Sequence, residues 1–249
     1  NMILMLAGNL PVDTLTKIEK YFGKIPMGPG KPIDFPIVGL LEEKAIRYSS
    51  AQDLLNKDSP QESNSRVILS VVVPDEFHED AAALNIASEF LGQSWTNGLR
   101  KRIRSEEGMS YDIGSSYSGE QNFGAFSIYG KVHAPRQEKA IDIVFEEIDR
   151  LKNEPLDEEE IERAKRRVMY EAANDMDGGF KAMIGIDPIN ISEIGKMEYF
   201  FDERIPISER LSRTKSVTPD DVQRAATLHL PSDRENGKYV LLVRDPLRD

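Results

Sequence analysis

The stretch that decides the fold runs from Leu99 to His133 and reads LRKRIRSEEGMSYDIGSSYSGEQNFGAFSIYGKVH. Its first part predicts a helix that stops at Gly108, and residues 109–117 follow as a strand. After a turn at residues 120–124, apolar and polar side chains alternate, with Phe126, Ile128 and Val132 on one face and Ser127, Tyr129, Lys131 and His133 on the other. This pattern predicts an antiparallel hairpin with one covered face.

The rest of the chain adds strands and helices around this hairpin. Residues 67–73 are rich in β-branched side chains and end at Pro74, which predicts a buried strand. Helical spacing and helix-start signals predict helices near residues 12–22, 80–91, 136–151, 157–174, 180–186, 191–200, 206–213 and 218–230. The start signals include a capping-box-like pair, Asp157 and Glu160, and the run Thr218-Pro219-Asp220-Asp221. Residues 239–243 return as a strand. The order of elements predicts an α+β fold, with an antiparallel-rich sheet and helices packed on one face.

Proline and glycine divide the chain into three expected parts. A short strand at residues 2–7 and a helix closed by Gly23 make up residues 1–26. Residues 27–65 are rich in proline, glycine and polar side chains, which predicts a linker carrying one strand near residues 45–48. The main domain is expected to cover residues 66–249.

The composition excludes several kinds of function. The formal net charge of the 249 residues is −11, which argues against a nucleic-acid or anionic-membrane partner, because such surfaces attract lysine and arginine patches. The longest apolar runs are too short to span a bilayer. The chain has no cysteine, which excludes disulfides, thiol nucleophiles and cysteine-ligated zinc. These observations leave the compartment open.

Histidine, serine and glycine patterns offer no self-contained catalytic site. The histidines at positions 78, 133 and 229 are too far apart for a helical pair to hold a metal. His78 begins a His-Glu-Asp trio, interpreted as a solvated first helical turn whose acids the helix dipole favours. His133 is interpreted as an outward-facing strand residue, and His229 as a favourable cation in a last helical turn. The sequence contains no Gly-x-Ser-x-Gly, phosphate-loop or Gly-x-Gly-x-x-Gly motif.

One pair of side chains at the predicted helix end has a possible chemical use. Arg104 lies about one turn before Gly108, and Tyr111 follows it, so the reversal from helix to strand brings both to the same edge. A planar guanidinium and a phenol hydroxyl aimed at a peptide carbonyl would hold it and stabilise a developing oxyanion. The alternative is a surface arginine paired with Glu107 or another acid, beside a half-buried tyrosine. On these residues alone the alternative is favoured.

The segment LRKRIRSEEGMSY, with an arginine seven residues before the tyrosine of a Gly-Met-Ser-Tyr turn, resembles the M16 (pitrilysin-like) metallopeptidase family. MILMLAGNLPVDTLTKIEKYFGKIP is similar to the end of that family's first structural repeat, and SVTPDDVQRAATLHL to the end of its second. The resemblance implies two similar halves that close around an unfolded peptide. One half carries a zinc motif, His-x-x-Glu-His, whose glutamate acts as general base. The other half contributes an arginine and a tyrosine, which correspond here to Arg104 and Tyr111.

The chain departs from the zinc-binding half. The helix at residues 82–91 contains no histidine, and Glu89 alone does not hold zinc; Asn97-Gly98 also replaces a more usual Ser-Arg pair. The resemblance therefore implies that residues 1–26 end a preceding repeat and that residues 66–249 are an inactive C-terminal domain. It implies the substrate-binding, non-catalytic half of a zinc metalloendopeptidase, inactive alone, with zinc supplied by a partner half in cis or in trans and a peptide as substrate. The alternative is a non-catalytic structural or interaction subunit of a larger assembly.

Overall fold

The protein is described from a computed structural model. The structure describes residues 4, 6, 9–26, 44–50, 64–120, 122–174, 205, 207–231 and 233–245. The chain forms two compact units, Asn1–Pro36 with Tyr170–Pro206, and Ile37–Met169 with Ile207–Asp249. The division of the sequence at residues 26 and 65 stays a prediction.

In the described part of the second unit, five strands form one mixed sheet. They are β1 (Ala45–Ser50), β2 (Asn64–Val73), β3 (Ser110–Glu120), β4 (Phe123–His133) and β5 (Val240–Asp245). Their order is β1-β5-β2-β4-β3, in which β1 and β5 are parallel and the other neighbouring pairs are antiparallel. The predicted strands near residues 45–48 and 67–73 are therefore confirmed as parts of β1 and β2, and the one near residues 239–243 as β5, which begins one residue later.

The predicted hairpin is formed by β3 and β4. Its turn includes Asn122, whose φ of 67° lies in the left-handed region that asparagine tolerates. Along β4 every second residue from Gly124 to Val132 is buried, as the alternation predicted. On β2 the same alternation buries Leu69, which pairs with Ile128 of β4 and therefore lies on the same face of the sheet. One face of the sheet thus carries the core.

Helices cover that face. In the second unit they are α2 (Ala81–Gln93), α3 (Gln137–Asn153), α4 (Glu158–Asn174), which begins in this unit, α5 (Ile207–Ser216) and α6 (Pro219–His229). The first unit contains a helix of its own, α1 (Thr14–Phe22). A π-helical segment spans Arg100–Glu106, and a 3₁₀ turn spans Ala134–Arg136. The core joins Leu84 and Ile86 of α2 with Ile141 of α3 and Phe126 of β4. The α+β fold predicted from the sequence is confirmed.

Two helices begin with the reciprocal hydrogen bonds that their sequences predict. At the start of α4 the Asp157 carboxylate accepts from the Glu160 N–H at 2.7 Å, and the Glu160 carboxylate accepts from the Asp157 N–H at 3.1 Å. At the start of α6 the Thr218 hydroxyl accepts from the Asp221 N–H at 3.2 Å, while the Asp221 carboxylate accepts from the Thr218 N–H at 2.9 Å. Local sequence therefore fixes where both helices begin.

Some predicted elements lie outside the described residues. These are most of the strand at residues 2–7 and the helices near residues 180–186 and 191–200. Among the helices that the structure describes, none combines the length and apolar character needed to cross a bilayer.

Candidate functional site

The candidate site lies where the chain passes from the π-helical segment into β3, and residues 95–113 are called the helix–strand corner below. The segment is anchored by Leu99 and Ile103, both fully buried. Gly98 enters it with φ +69°, and Gly108 leaves it with φ +59°. A side chain at either glycine would strain the backbone, because L-residues rarely adopt these angles. The Met109 N–H donates to the Ile103 carbonyl at 2.8 Å and closes the turn.

Arg104 is held at this corner by a backbone carbonyl and by an aromatic ring. Its Nη1 donates to the Tyr111 carbonyl at 3.2 Å. Its Cζ lies 4.7 Å from the ring centre of Trp95, and the Cζ of Arg100 lies 5.1 Å from the same ring. Arg100 Nε also donates to the Ile113 carbonyl at 3.3 Å. The two arginines lie four residues apart on the same side of the segment, and both guanidinium groups therefore contact the ring of Trp95.

Tyr111 points into solvent because the strand is irregular at that position. The register of β3 against β4 shifts between Ser110 and Asp112, so Tyr111 is the extra residue of a bulge. The Ser110 hydroxyl stabilises this bulge by donating to the Lys131 carbonyl at 2.5 Å and accepting from the Asp112 N–H at 3.1 Å. The Tyr111 side chain is 87% exposed. No described residue hydrogen bonds its hydroxyl.

The π-helical segment is tied to α3 by ion pairs. Arg102 donates to Glu146 at 2.6 Å and to the buried Glu147 at 3.2 Å, and Arg150 also pairs with Glu147 at 2.9 Å. Partial burial opposes the charge of Arg102, but the hydrogen bonds to both glutamates raise its pKa above the ordinary value. The backbone that carries Arg104 therefore has a fixed support.

The pairing of Arg104 with Glu107, considered from the sequence, is not found. Glu107 pairs instead with Arg136 and Lys139, each at 2.7 Å. The hydrogen bond from Lys139 is the main reason that the pKa of Glu107 lies below its ordinary value. Among the described residues, no carboxylate lies within ion-pair distance of Arg104. The expected half-burial of the tyrosine was wrong too, since the bulge exposes it.

Comparison with known proteins identifies the fold that presents this corner. The family model described as "Peptidase M16 inactive domain" matches residues 1–168, more than half of the chain. This chain belongs to the peptidase M16 inactive-domain family. The resemblance predicted from the sequence is confirmed.

Relatives of this M16 domain include two curated bacterial proteins. An uncharacterized zinc protease of Streptomyces coelicolor is 24% identical over 251 residues, which covers 100% of this chain and 51% of that protein. The uncharacterized zinc protease YmxG of Bacillus subtilis is 21% identical over 225 residues, covering 90% of this chain and 50% of that protein. The M16 domain thus spans about half the length of the curated relatives it matches.

A solved structure shares the fold. The crystal structure of a peptidase M16 inactive domain from Pseudomonas fluorescens aligns with a TM-score of 0.61 and 21% identity, covering 86% of this chain and 48% of that chain.

The residues of α2 do not fit the catalytic zinc of M16 peptidases. The helix contains no histidine, and the whole chain contains no His-x-x-Glu-His motif. Its one carboxylate, on Glu89, is buried and lies 3.8 Å from Arg167 Nε. A single carboxylate beside a cation does not supply the three ligands that a catalytic zinc needs.

Two features of the M16 domain were missed from the sequence. One is Trp95, the single tryptophan, which contacts Arg104 and lies five residues before Arg100. The spacing of Arg100 and Arg104, four residues apart, was the signal that both share one helix face. The second feature joins His78 and His229 around Asp80, and no local signal links positions so far apart in sequence. The interpretation of His78-Glu79-Asp80 as a solvated turn was wrong for Asp80, which is 1% exposed.

Proposed function

We propose that this chain is the substrate-binding, non-catalytic half of a zinc metalloendopeptidase that cleaves unfolded peptides. The zinc and its motif would come from a partner half, in the same polypeptide or in a separate subunit. In this proposal Arg104 and Tyr111 donate hydrogen bonds to the peptide backbone and to the oxyanion that develops during cleavage. The helix–strand corner is the observation that carries the proposal.

The donor inventory at the corner supports these roles. A guanidinium has five N–H donors, and the bond from Arg104 to the Tyr111 carbonyl occupies only one of them. The Tyr111 hydroxyl has no described partner, so it remains free to donate. Both groups are on the surface, where a peptide in an extended conformation has access to them. A positive charge and a hydroxyl donor both favour a negatively charged transition state.

Preorganisation at the corner also supports the proposal. Donors stabilise a transition state best when they need no rearrangement during the reaction. The cation–π contact with Trp95 and the hydrogen bond to the Tyr111 carbonyl restrict the guanidinium of Arg104. The bulge at Ser110 fixes the backbone from which Tyr111 projects.

A partner half is supported by the relatives and by the first unit. Relatives named zinc proteases are about twice as long as this chain, with matches covering 51% and 50% of them. Helix α1 and the residues before it expose Val12, Leu15 and Tyr21 to solvent. Exposed apolar side chains in one short segment are typical of a surface that another part of a protein covers. We therefore assign residues 1–26 to the end of a preceding repeat. When bound in the partner half, zinc supplies an activated water.

The test is reconstitution. The chain is combined with the half that carries the zinc motif, and cleavage of an unfolded peptide is measured with and without a chelator. We expect zinc-dependent cleavage that falls by about 10²–10³ in kcat/KM for Arg104→Ala, as for the loss of one oxyanion donor. Arg166→Ala removes an exposed arginine of α4 and is the matched control.

Two outcomes count against the proposal. Equal cleavage by Arg104→Ala and by the parent would refute the assigned role. A stable complex of the two halves that never cleaves peptide would instead support the alternative, a structural or interaction subunit.

A further inference from the structure

Three potential metal ligands from distant parts of the chain meet at the start of α2. His229 Nε2 lies 2.8 Å from Asp80 Oδ2, and His78 Nδ1 lies 3.8 Å from the same oxygen. One donor atom from each of the three side chains lies within 4.8 Å of the others. His78 and Asp80 precede α2, whereas His229 is the last residue of α6. Tertiary folding therefore builds this cluster, which is called the His-Asp-His cluster below.

The Asp80 carboxylate is buried and is not used to cap its own helix. Asp80 occupies the N-cap position of α2, yet its side chain makes no capping hydrogen bond, and it is 1% exposed. Burial of a carboxylate is costly unless cations or donors surround it. Arg224 Nη1 forms an ion pair with Oδ1 at 2.6 Å, and His229 Nε2 lies 2.8 Å from Oδ2. The carboxylate is turned away from its helix toward the two imidazoles.

We propose that the His-Asp-His cluster is a binding site for a divalent transition metal of the zinc type. Two imidazoles and one carboxylate are a ligand set that suits Zn²⁺, with the fourth position open to water. The His78 side chain is 40% exposed, which leaves a path from solvent for the ion and for that water. Arg224 would keep its ion pair with Oδ1, as outer partners commonly do for a ligating carboxylate. The metal would replace the hydrogen bond between His229 Nε2 and Oδ2.

The distances fit such an ion after small side-chain shifts. Tetrahedral zinc with bonds of about 2.0–2.1 Å separates its donor atoms by roughly 3.3 Å. The separations from Asp80 Oδ2 are 2.8 Å to His229 Nε2 and 3.8 Å to His78 Nδ1. Each therefore differs from the ideal by about half an ångström, one shorter and one longer. Metal binding would also replace the hydrogen bond that His78 Nδ1 accepts from the Asp80 N–H at 3.1 Å.

This site is separate from the helix–strand corner. Asp80 stands before the first residue of α2 and Trp95 follows the last, and a helix of 13 residues is about 20 Å long. The bound ion would join the start of α2 to the end of α6. The ion would therefore stabilise the packing of these two helices, and its binding does not require the partner half.

The test is zinc titration of the full 249-residue chain, free of any histidine tag, followed by calorimetry and by the melting temperature. We expect one equivalent of zinc to bind and to raise the melting temperature. His78→Ala and His229→Ala are each expected to weaken binding at least about tenfold. His133→Ala removes the remaining histidine, which is exposed on β4, and is expected to bind zinc like the parent. Co²⁺ should give the visible absorption spectrum of a tetrahedral site in the parent and in His133→Ala, but not in His78→Ala or His229→Ala.

Several outcomes would overturn the proposal. One is the absence of zinc binding by the folded parent, and another is binding that persists unchanged in both His78→Ala and His229→Ala. The test avoids any change at the buried Asp80, and His78→Ala is expected to fold because the His78 side chain is partly exposed. Because no partner half or peptide is present, the result is independent of the proposed peptidase role.

Discussion

Replacing Trp95 by alanine removes the aromatic surface that positions Arg104. The indole is 54% exposed, so its loss leaves no cavity in the core. What it does remove is two cation–π contacts, at 4.7 Å to Arg104 and 5.1 Å to Arg100. The main effect is therefore expected on the arrangement of Arg104, with a modest effect on stability.

The size of each effect follows from the two contacts. An exposed cation–π contact contributes about 0.5–1 kcal/mol, so Trp95→Ala should lower the free energy of unfolding by about 1–2 kcal/mol. Less precise placement of Arg104 should lower kcat/KM of the reconstituted peptidase by about two- to fivefold, which corresponds to 0.5–1 kcal/mol of transition-state stabilisation. Trp95→Phe keeps an aromatic face and should recover part of both losses.

A double-mutant cycle measures the contact directly. Urea unfolding of the parent, Trp95→Ala, Arg104→Ala and the double variant gives the coupling free energy between the two side chains. We expect about 0.5–1 kcal/mol. Additivity of the two single changes within about 0.3 kcal/mol would refute the reasoning, because the contact would then contribute nothing to the position of Arg104.

Further predictions concern the backbone and the helix caps, and each is checked by urea unfolding. Gly108→Ala should lower the free energy of unfolding by about 1–2 kcal/mol, because φ at this position is +59°. The space around an added Cβ is open, so backbone strain accounts for the whole loss. Gly98→Ala should lower the free energy of unfolding by more than Gly108→Ala does, because φ is +69° and the added Cβ would also lie 2.7 Å from the Phe90 carbonyl oxygen. Equal losses in the two variants would contradict this. Thr218→Ala should cost about 1 kcal/mol through the lost cap of α6, and a loss near zero would contradict the capping role. Hydrogen bonds from the side chain and the backbone of Thr218 hold the pKa of Asp221 below the ordinary value of 3.8. The Asp221 carboxylate therefore contributes its full stability above pH 3.8, and this stability is lost as the pH falls through the lowered pKa. Asp221→Asn should therefore flatten the fall in stability at acid pH, and an unchanged slope would contradict the assignment.

Elements with a local signal were predictable from the sequence. The alternation along β4 predicted its buried face, and the Thr218 and Asp157 motifs predicted where α6 and α4 begin. These signals work because one residue and its near neighbours determine the structure. Gly108 likewise predicted the end of the segment before β3, since the left-handed angle at that position favours glycine.

Features that depend on long-range contacts were not predictable. The parallel pairing of β1 with β5 joins Ala45 to Val240, far apart in sequence. The same apolar spacing fits an α-helix and the π-helical segment before β3, so the sequence did not distinguish them. The bulge that exposes Tyr111 depends on how β3 pairs with β4. The His-Asp-His cluster arises only when α2 and α6 come together.

The central claim is that this chain supplies hydrogen-bond donors to a reaction whose metal lies in another half. Tyr111→Phe removes one exposed hydroxyl with no described partner, so it should leave the melting temperature unchanged. In the reconstituted peptidase we expect kcat/KM to fall by about 10²–10³. Tyr129→Phe, at a partly exposed tyrosine of β4, should cleave like the parent. Cleavage by Tyr111→Phe at the parent's kcat/KM would contradict the claim.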